Sequence, residues 1–120
     1  MTPRHLITLL KSADSSVGRL NAELALLAGY ERKPNPNTSA RRRALWFSPD
    51  GEEIRVMPNF TGSIDEAMRL LEMMVTVEAA GFADKADGVI AQVNDNPPES
   101  AATPALALCV IAVKAKFPDA

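Results

Sequence analysis

The chain has 120 residues, of which 47% are apolar and 23% are charged, a balance typical of an ordinary globular domain. Its net charge of −2 excludes a basic surface spread over the whole molecule, and its single cysteine excludes an intramolecular disulfide. No apolar run reaches the ~18 residues that a membrane helix needs. We therefore expect a single domain over residues 1–120, with one core and no membrane partner.

The first thirty residues predict two helical segments, which form either two helices or one kinked helix. Thr2 followed by Pro3 is a cap with proline at the first helical position, which predicts a short helix ending near Lys11. Residues 14–16 offer N-caps for a second, amphipathic helix that ends at Gly29. The apolar stretch at the N-terminus is too short for a signal-peptide core, so we expect a cytoplasmic protein.

The middle of the chain predicts a loop and then a hairpin. Residues 30–43 contain two prolines and several polar turn residues without an apolar period, which predicts a loop. Residues 44–48 and 53–57 predict two strands. Between them, Pro49 presets the backbone for a turn and Gly51 accepts its left-handed position.

A capping box opens the third helix. Ser63 can accept a hydrogen bond from the N–H of Glu66, and the Glu66 carboxylate can reach back to the N–H of Ser63. After this helix, residues 76–83 and 88–94 predict a second hairpin, and residues 94–100 predict a loop.

The last helix is predicted over about residues 104–117. Thr103 caps it, Pro104 occupies its first position, and apolar residues follow on every side up to Lys114, which is typical of a buried helix. Cys109 lies in it as a small buried hydrophobe. The element order is α(α)-ββ-α-ββ-α. It predicts an α+β fold in which helices pack on antiparallel hairpins as an α-β-α sandwich.

Three segments resemble a known family. Residues 57–67 carry an aromatic-Thr-x-Ser-Ile-Asp-x-Ala stretch, residues 102–109 read Ala-Thr-Pro-Ala-Leu-Ala-Leu-Cys, and residues 22–30 form an Ala-Leu-rich run ending in Gly and Tyr. Together they resemble the phage ABA sandwich domain, although the loop over residues 31–43 has no counterpart there. Residues 58–63 are also similar to HicB-like antitoxins, which the closing helix fits poorly.

The resemblance to the phage ABA sandwich domain implies an α-β-α sandwich encoded by a phage or prophage. That family has no established activity, so the resemblance implies no catalytic residue. The function it implies is that of an uncharacterised accessory protein which acts by binding.

A basic cluster is the candidate binding site. Residues 31–43 carry five basic side chains and one acidic one, a local charge of +4, so the remaining residues carry −6. Such a patch can hold the phosphates of RNA or DNA, and the flanking Tyr30 and Trp46 can stack on bases. On composition alone we favour the simpler alternative, a solvated loop whose arginines form ion pairs with acidic side chains in the rest of the chain. The candidate nucleic-acid contacts are Arg32, Lys33, Arg41, Arg42, Arg43 and Trp46.

Catalysis has little support in the sequence. His5, the only histidine, lies in the first helical turn, and Cys109 has no evident activating partner. No cluster of His, Cys and carboxylates has metal-ligand spacing, and no glycine-rich phosphate loop occurs. We therefore expect a protein that is not an enzyme and has neither cofactor nor metal.

Association is the remaining expectation from the sequence. The last helix is apolar on all sides, and a chain of this size has limited interior in which to bury it. The hairpins also leave open sheet edges. Together these features predict apolar surface and strand edges that a single chain leaves uncovered. A two-fold homodimer is the commonest way to provide that cover, so we expect one.

Overall fold

The computed structural model of the protein describes residues 1–37, 39, 41 and 44–120. Within these residues, six strands form two antiparallel three-stranded sheets, sheet A in the order β1-β2-β3 and sheet B in the order β4-β5-β6. The predicted α+β class is confirmed, and each predicted hairpin gains a third strand. The elements are α1 Pro3–Ser12, α2 Gly18–Ala28, β1 Glu31–Pro34, β2 Ala44–Phe47, β3 Glu53–Ile54, α3 Ile64–Met74, β4 Ala80–Lys85, β5 Gly88–Val93, β6 Glu99–Ala101 and α4 Pro104–Lys116.

Helix α4 forms the centre of the hydrophobic core. It begins at the predicted cap, where the Oγ1 of Thr103 accepts a hydrogen bond from the N–H of Leu106 at 3.2 Å. Every residue from Ala105 to Val113 is buried, because α1 and α3 pack against α4 and strands β5 and β6 lie along it. The prediction of a buried helix is thus confirmed. Among the described residues, no helix has the length and apolar character to cross a membrane.

Helix α3 begins at Ser63, whose Oγ accepts a hydrogen bond from the N–H of Glu66 at 3.3 Å. The reciprocal bond predicted from Glu66 is replaced by two others. The N–H of Ser63 donates to the carbonyl oxygen of Asn59 at 3.0 Å, and the Glu66 carboxylate pairs with Arg69 at 3.3 Å. Glu66 turns along the helix because Arg69 lies three residues later, on the same face.

Helix α2 starts later than the predicted caps at residues 14–16. Its N-cap is Val17, which has no side-chain oxygen to offer, and its end is the predicted Gly29, with φ at 101°. That left-handed backbone position favours glycine, so the C-terminal prediction is confirmed. The N-terminal prediction is wrong, because the hydroxyl that serves this helix start comes from Thr61, far along the chain.

Sheet A departs from the prediction at both of its edges. The loop predicted over residues 30–43 is wrong at its start, since Glu31–Pro34 forms β1 and pairs with β2. Proline is tolerated there because β1 is an edge strand. The strand predicted over residues 53–57 ends at Ile54. Val56 beyond it is 81% exposed, so it lacks the packing that stabilises extended chain.

In sheet B, the strand predicted over residues 76–83 starts four residues later because of Asn94. The side-chain oxygen of Asn94 accepts hydrogen bonds from the N–H groups of Glu78 and Ala79 at 2.8 and 3.1 Å. Its amide nitrogen donates to the carbonyl oxygen of Thr76 at 2.9 Å. These bonds satisfy the backbone that strand pairing would otherwise satisfy.

Strand β6 occupies part of the loop predicted over residues 94–100. Its three residues pair with β5, and Ser100 lies opposite Ile90 in that ladder. A segment this short has no readable periodicity of its own. Its conformation depends on the neighbouring strand, which the local sequence does not reveal.

Candidate nucleic-acid interface

The basic segment begins on a β-hairpin. Strands β1 and β2 are antiparallel, with Arg32 opposite Trp46 and Lys33 opposite Leu45. Two asparagine turns shape the connection: the N–H of Asn37 donates to the side chain of Asn35 at 3.0 Å, and Asn37 in turn accepts from Ser39 at 3.1 Å. Such turns bend the chain through local side-chain bonds. Of the described residues in this connection, Pro36, Asn37, Ser39 and Arg41 are exposed.

The predicted cations of this hairpin are not equivalent. Lys33 is engaged within the sheet, since its ammonium lies 3.4 Å from the carboxylate of Glu31 and 5.0 Å from the centre of the Phe47 ring. Arg32 and Arg41 are exposed and have no ion-pair partner within the described part of the chain. Arg42 and Arg43 lie outside the described residues. Arg32 and Arg41 are therefore the described cations that are available to a ligand.

The two aromatic residues proposed to stack on bases are both engaged elsewhere. Trp46 is half-buried and packs, with Ile54, against the hydrophobic core. Tyr30 is 8% exposed, and its ring meets that of Phe60 edge-to-face, with centroids 6.2 Å apart. Burial raises the pKa of the Tyr30 hydroxyl. Tyr30 therefore offers bases no exposed ring face, whereas Trp46 stays partly exposed, with Arg32 directly opposite it on β1.

Phe47 is an aromatic neighbour of the site that the sequence analysis missed. Successive residues of a strand point to opposite faces, so Phe47 lies on the outer face while Trp46 faces the core. Its directly opposed neighbours are Glu31 on β1 and Glu53 on β3. The alternation within residues 44–47 was the signal that separates these two rings, although it did not reveal which face meets the core.

A buried polar network, which the sequence analysis also missed, joins the start of α2 to the loop before α3. The N–H and the hydroxyl of Thr61 both lie within hydrogen-bond distance of the side-chain oxygen of Asn21, at 2.8 and 2.7 Å. The N–H of Val17 donates to the Thr61 hydroxyl at 2.9 Å, and Asn21 and Ser16 both donate to Asn59. The described buried side-chain polar atoms all have partners, so this network satisfies its own hydrogen bonds and joins α2 to the loop before α3.

A second missed cluster links three elements through Glu99 on β6. Its side chain is 12% exposed, and its carboxylate lies 3.3 Å from the ammonium of Lys11 on α1 and 2.5 Å from that of Lys114 on α4. Burial by itself raises the pKa of Glu99, but the two lysines outweigh it and hold the pKa below its ordinary value. This cluster fastens α1 and α4 to sheet B.

The candidates for catalysis lie apart from one another. His5 is exposed on α1, whereas Cys109 is fully buried in α4 and its thiol donates to the carbonyl oxygen of Phe60 at 3.2 Å. Burial raises the pKa of the Cys109 thiol, which therefore stays protonated and is a poor nucleophile. Among the described residues, no group of three or more His, Cys, Asp or Glu side chains is placed to hold a metal ion.

Comparison of the chain with family models, with curated proteins and with solved structures found no match. The resemblance to the phage ABA sandwich domain therefore stays a prediction from the sequence.

Proposed function

We propose that this protein acts by binding, and that the β1–β2 hairpin binds nucleic acid through phosphate contacts. The observation that carries the proposal is the pair of exposed arginines, Arg32 and Arg41, on a segment of charge +4 in a chain of charge −2. The alternative that the sequence analysis favours is a solvated loop whose arginines form ion pairs with acidic side chains elsewhere in the chain. Neither of them has an ion-pair partner among the described residues, so that alternative has no support at these two positions.

The site is suited to phosphate because arginine presents a planar fork of donors that matches phosphate oxygens. Lys33 contributes positive potential nearby, although Glu31 offsets part of it. Arg42 and Arg43 add two more charges in the same stretch of sequence. Because the rest of the chain carries −6, an acidic polymer should approach at this hairpin and be repelled elsewhere.

The test is a salt titration of binding to labelled DNA by fluorescence anisotropy. We expect the double variant Arg32→Gln/Arg41→Gln to weaken binding and to reduce the slope of log K against log salt by about 2, one for each lost phosphate contact. The matched control is Arg4→Gln/Arg19→Gln, which removes the same charge from exposed positions on α1 and α2. An equal loss of DNA affinity in both variants would show that net charge alone causes the effect, and it would contradict a localised site.

We also propose, from the family resemblance alone, that the protein is a phage- or prophage-encoded accessory protein in the cytoplasm of a bacterial host. Its gene neighbourhood tests this. Structural phage genes beside it would support the proposal. A toxin gene would favour the similarity to HicB-like antitoxins, and housekeeping neighbours would count against both.

We further propose that the protein forms a homodimer through β4. This strand lies at the edge of sheet B, and all six of its residues are exposed. The N–H of Asn94 donates to the carbonyl oxygen of Ala79, so by antiparallel alternation the backbone groups of Ala80, Phe82 and Asp84 face the open edge. That triplet is symmetric about Phe82. A second copy, turned end for end, therefore offers it the matching donors and acceptors.

Light scattering at micromolar concentration tests the dimer. We expect a mass of twice the 12.9 kDa chain, and we expect Phe82→Lys to shift the protein toward the single-chain mass. Val56→Lys is the control, because it places the same charge at an apolar residue that is 81% exposed and remote from β4 in sequence. A mass near 12.9 kDa that does not change on dilution would contradict the dimer.

A further inference from the structure

We infer that the open edge of β4 is a self-recognition surface, which pairs with β4 of a second copy in one register, with Phe82 opposite the partner's Phe82. The inference rests on the proposed homodimer. It adds the reason why β4 is the pairing edge, the register, and the face on which the two rings lie. It follows from a comparison of the sheet edges and from the order of residues along β4.

β4 differs from the other edge strands of the two described sheets. β1 ends in Pro34 and its other residues are charged, β3 has two residues, and β6 has three residues against which α1 packs. Proline, charge, short length and a covering helix are means by which proteins blunt sheet edges. β4 has six residues, contains no proline, carries its charges on its last two residues, and pairs with β5 without a bulge. It is therefore the edge that is open to a further strand, and β4 of a second copy is the edge that can supply one.

The core-side face of β4 carries apolar surface for such a partner to cover. Phe82 lies opposite Ala91 on β5 and Ala80 lies opposite Val93, and both of these β5 residues are buried. Residues directly opposite each other share a face of the sheet, so Phe82 and Ala80 lie on the face that turns toward the helices. α4 packs on β5 and β6, whereas all six residues of β4 are exposed and Phe82 is 49% exposed. Pairing of two β4 strands about Phe82 brings the two rings together on this face, where each covers the other.

The order of residues along β4 selects this register over its neighbours. Alternate residues face the open edge, so the backbone groups of two copies match only in registers that differ by two residues. The register centred on Phe82 pairs every edge-facing residue within β4, with Ala80 opposite the partner's Asp84. A shift of two residues in one direction sets Asp84 opposite Glu78, a like charge outside the strand. A shift in the other direction sets Asp84 opposite the ring of Phe82 and leaves Ala80 without a partner in β4.

Disulfide trapping of cysteine variants measures the register. In the inferred register, Gly81 lies opposite the partner's Ala83 with Cα atoms about 4.5 Å apart, a separation that a disulfide spans. The two copies of Gly81 lie about 7–8 Å apart, which is too far. Both positions accept cysteine, since a Cβ added at Gly81 meets no neighbouring atom within 4 Å and Ala83 is exposed. The native Cys109 is buried and does not compete.

We expect a mixture of Gly81→Cys and Ala83→Cys to form about tenfold more disulfide-linked dimer than either variant alone, measured on non-reducing gels after mild oxidation at micromolar concentration. The matched control is Ala83→Cys mixed with Gln92→Cys. Gln92 is exposed on the same face as Gly81, directly opposite it, but lies one strand in from the edge. This control should cross-link no more than the single variants do.

Efficient cross-linking of Gly81→Cys alone, or of Ala83→Cys alone, would show a shifted register and would overturn the inference while the dimer stands. A dimer by light scattering in which no variant pair cross-links would place the interface away from β4, which would overturn both the inference and the proposed role of this strand. A mass near 12.9 kDa for the unmodified protein would refute the dimer and this inference with it, and would leave β4 open to a strand of another protein.

Discussion

Helix α4 and strand β1 of the β1–β2 hairpin differ in their exposure to solvent. Every residue of α4 from Ala105 to Val113 is buried, and the helix meets α1, α3 and sheet B. All four residues of β1 are exposed, and the strand contacts helix α2. Substitutions in α4 should therefore change folding, and substitutions in the hairpin should change binding. The following predictions test that separation, from the largest expected effect to the smallest.

Leu106→Ala should have the largest effect. Leu106 is completely buried, so the substitution leaves a cavity and should lower the free energy of unfolding by ~2–5 kcal/mol. Urea denaturation measures this. The control is Leu26→Ala, the same change at a leucine that is 47% exposed, which should cost much less. Equal losses at the two positions would contradict the central place of α4.

Thr61→Val should lower stability by ~1–3 kcal/mol, although valine has nearly the same shape. The substitution removes the hydroxyl that accepts from the N–H of Val17 and bonds to Asn21. It leaves the N–H of Val17 without this acceptor, while the Asn21 oxygen keeps only the N–H of residue 61. Thr8→Val is the control, because the Thr8 hydroxyl is exposed on α1. Thermal unfolding compares the two variants, and a Thr61→Val protein as stable as the control would show that water replaces the lost bonds.

Ser63→Ala should cost ~1 kcal/mol through loss of the α3 cap. The N–H of Glu66 would lose its partner, so its amide hydrogen should exchange faster than in the unmodified protein. Ser12→Ala, near the end of α1, provides a comparison at a residue that caps no helix start. Unchanged exchange at Glu66 would mean that Ser63 does not hold this turn.

Glu99→Gln should cost about 1 kcal/mol at neutral pH, where the carboxylate pairs with Lys11 and Lys114. Because the pKa of Glu99 is lowered by folding, its charged form stabilises the protein above the ordinary carboxyl pKa of about 4.3. That contribution is lost as the pH falls through the lower folded pKa. Unfolding titrations should therefore show the two proteins converging in acid, and a difference that grew in acid would reverse the sign of the argument.

Arg32→Gln/Arg41→Gln should have the smallest effect on stability, below ~0.5 kcal/mol, because both side chains are exposed and neither has an ion-pair partner among the described residues. The same variant is expected to lose DNA binding. Calorimetric unfolding of the variant therefore separates a binding role from a structural one. A large loss of stability would show that these arginines stabilise the fold, and it would contradict the separation between the hairpin and α4.

Local chemistry in the sequence sufficed for the helices except at the start of α2. Thr103 with Pro104 predicts the start of α4, and Gly29 predicts the end of α2, because caps and left-handed positions act over three or four residues. The apolar composition of α4 likewise predicts its burial, since no face of it suits water. The basic character of the hairpin is also a property of composition alone.

Tertiary structure decided what depends on residues distant in sequence. β1 and β6 are short and mostly polar, and their extended conformation comes from pairing with β2 and β5. The hydroxyl that serves the start of α2 comes from Thr61, 44 residues after Val17. Alternation separates Trp46 from Phe47, but only the packing of sheet A on the core determines which ring turns inward. The charge of the candidate site is thus fixed by the sequence, whereas the placement of its aromatic rings is fixed by the fold.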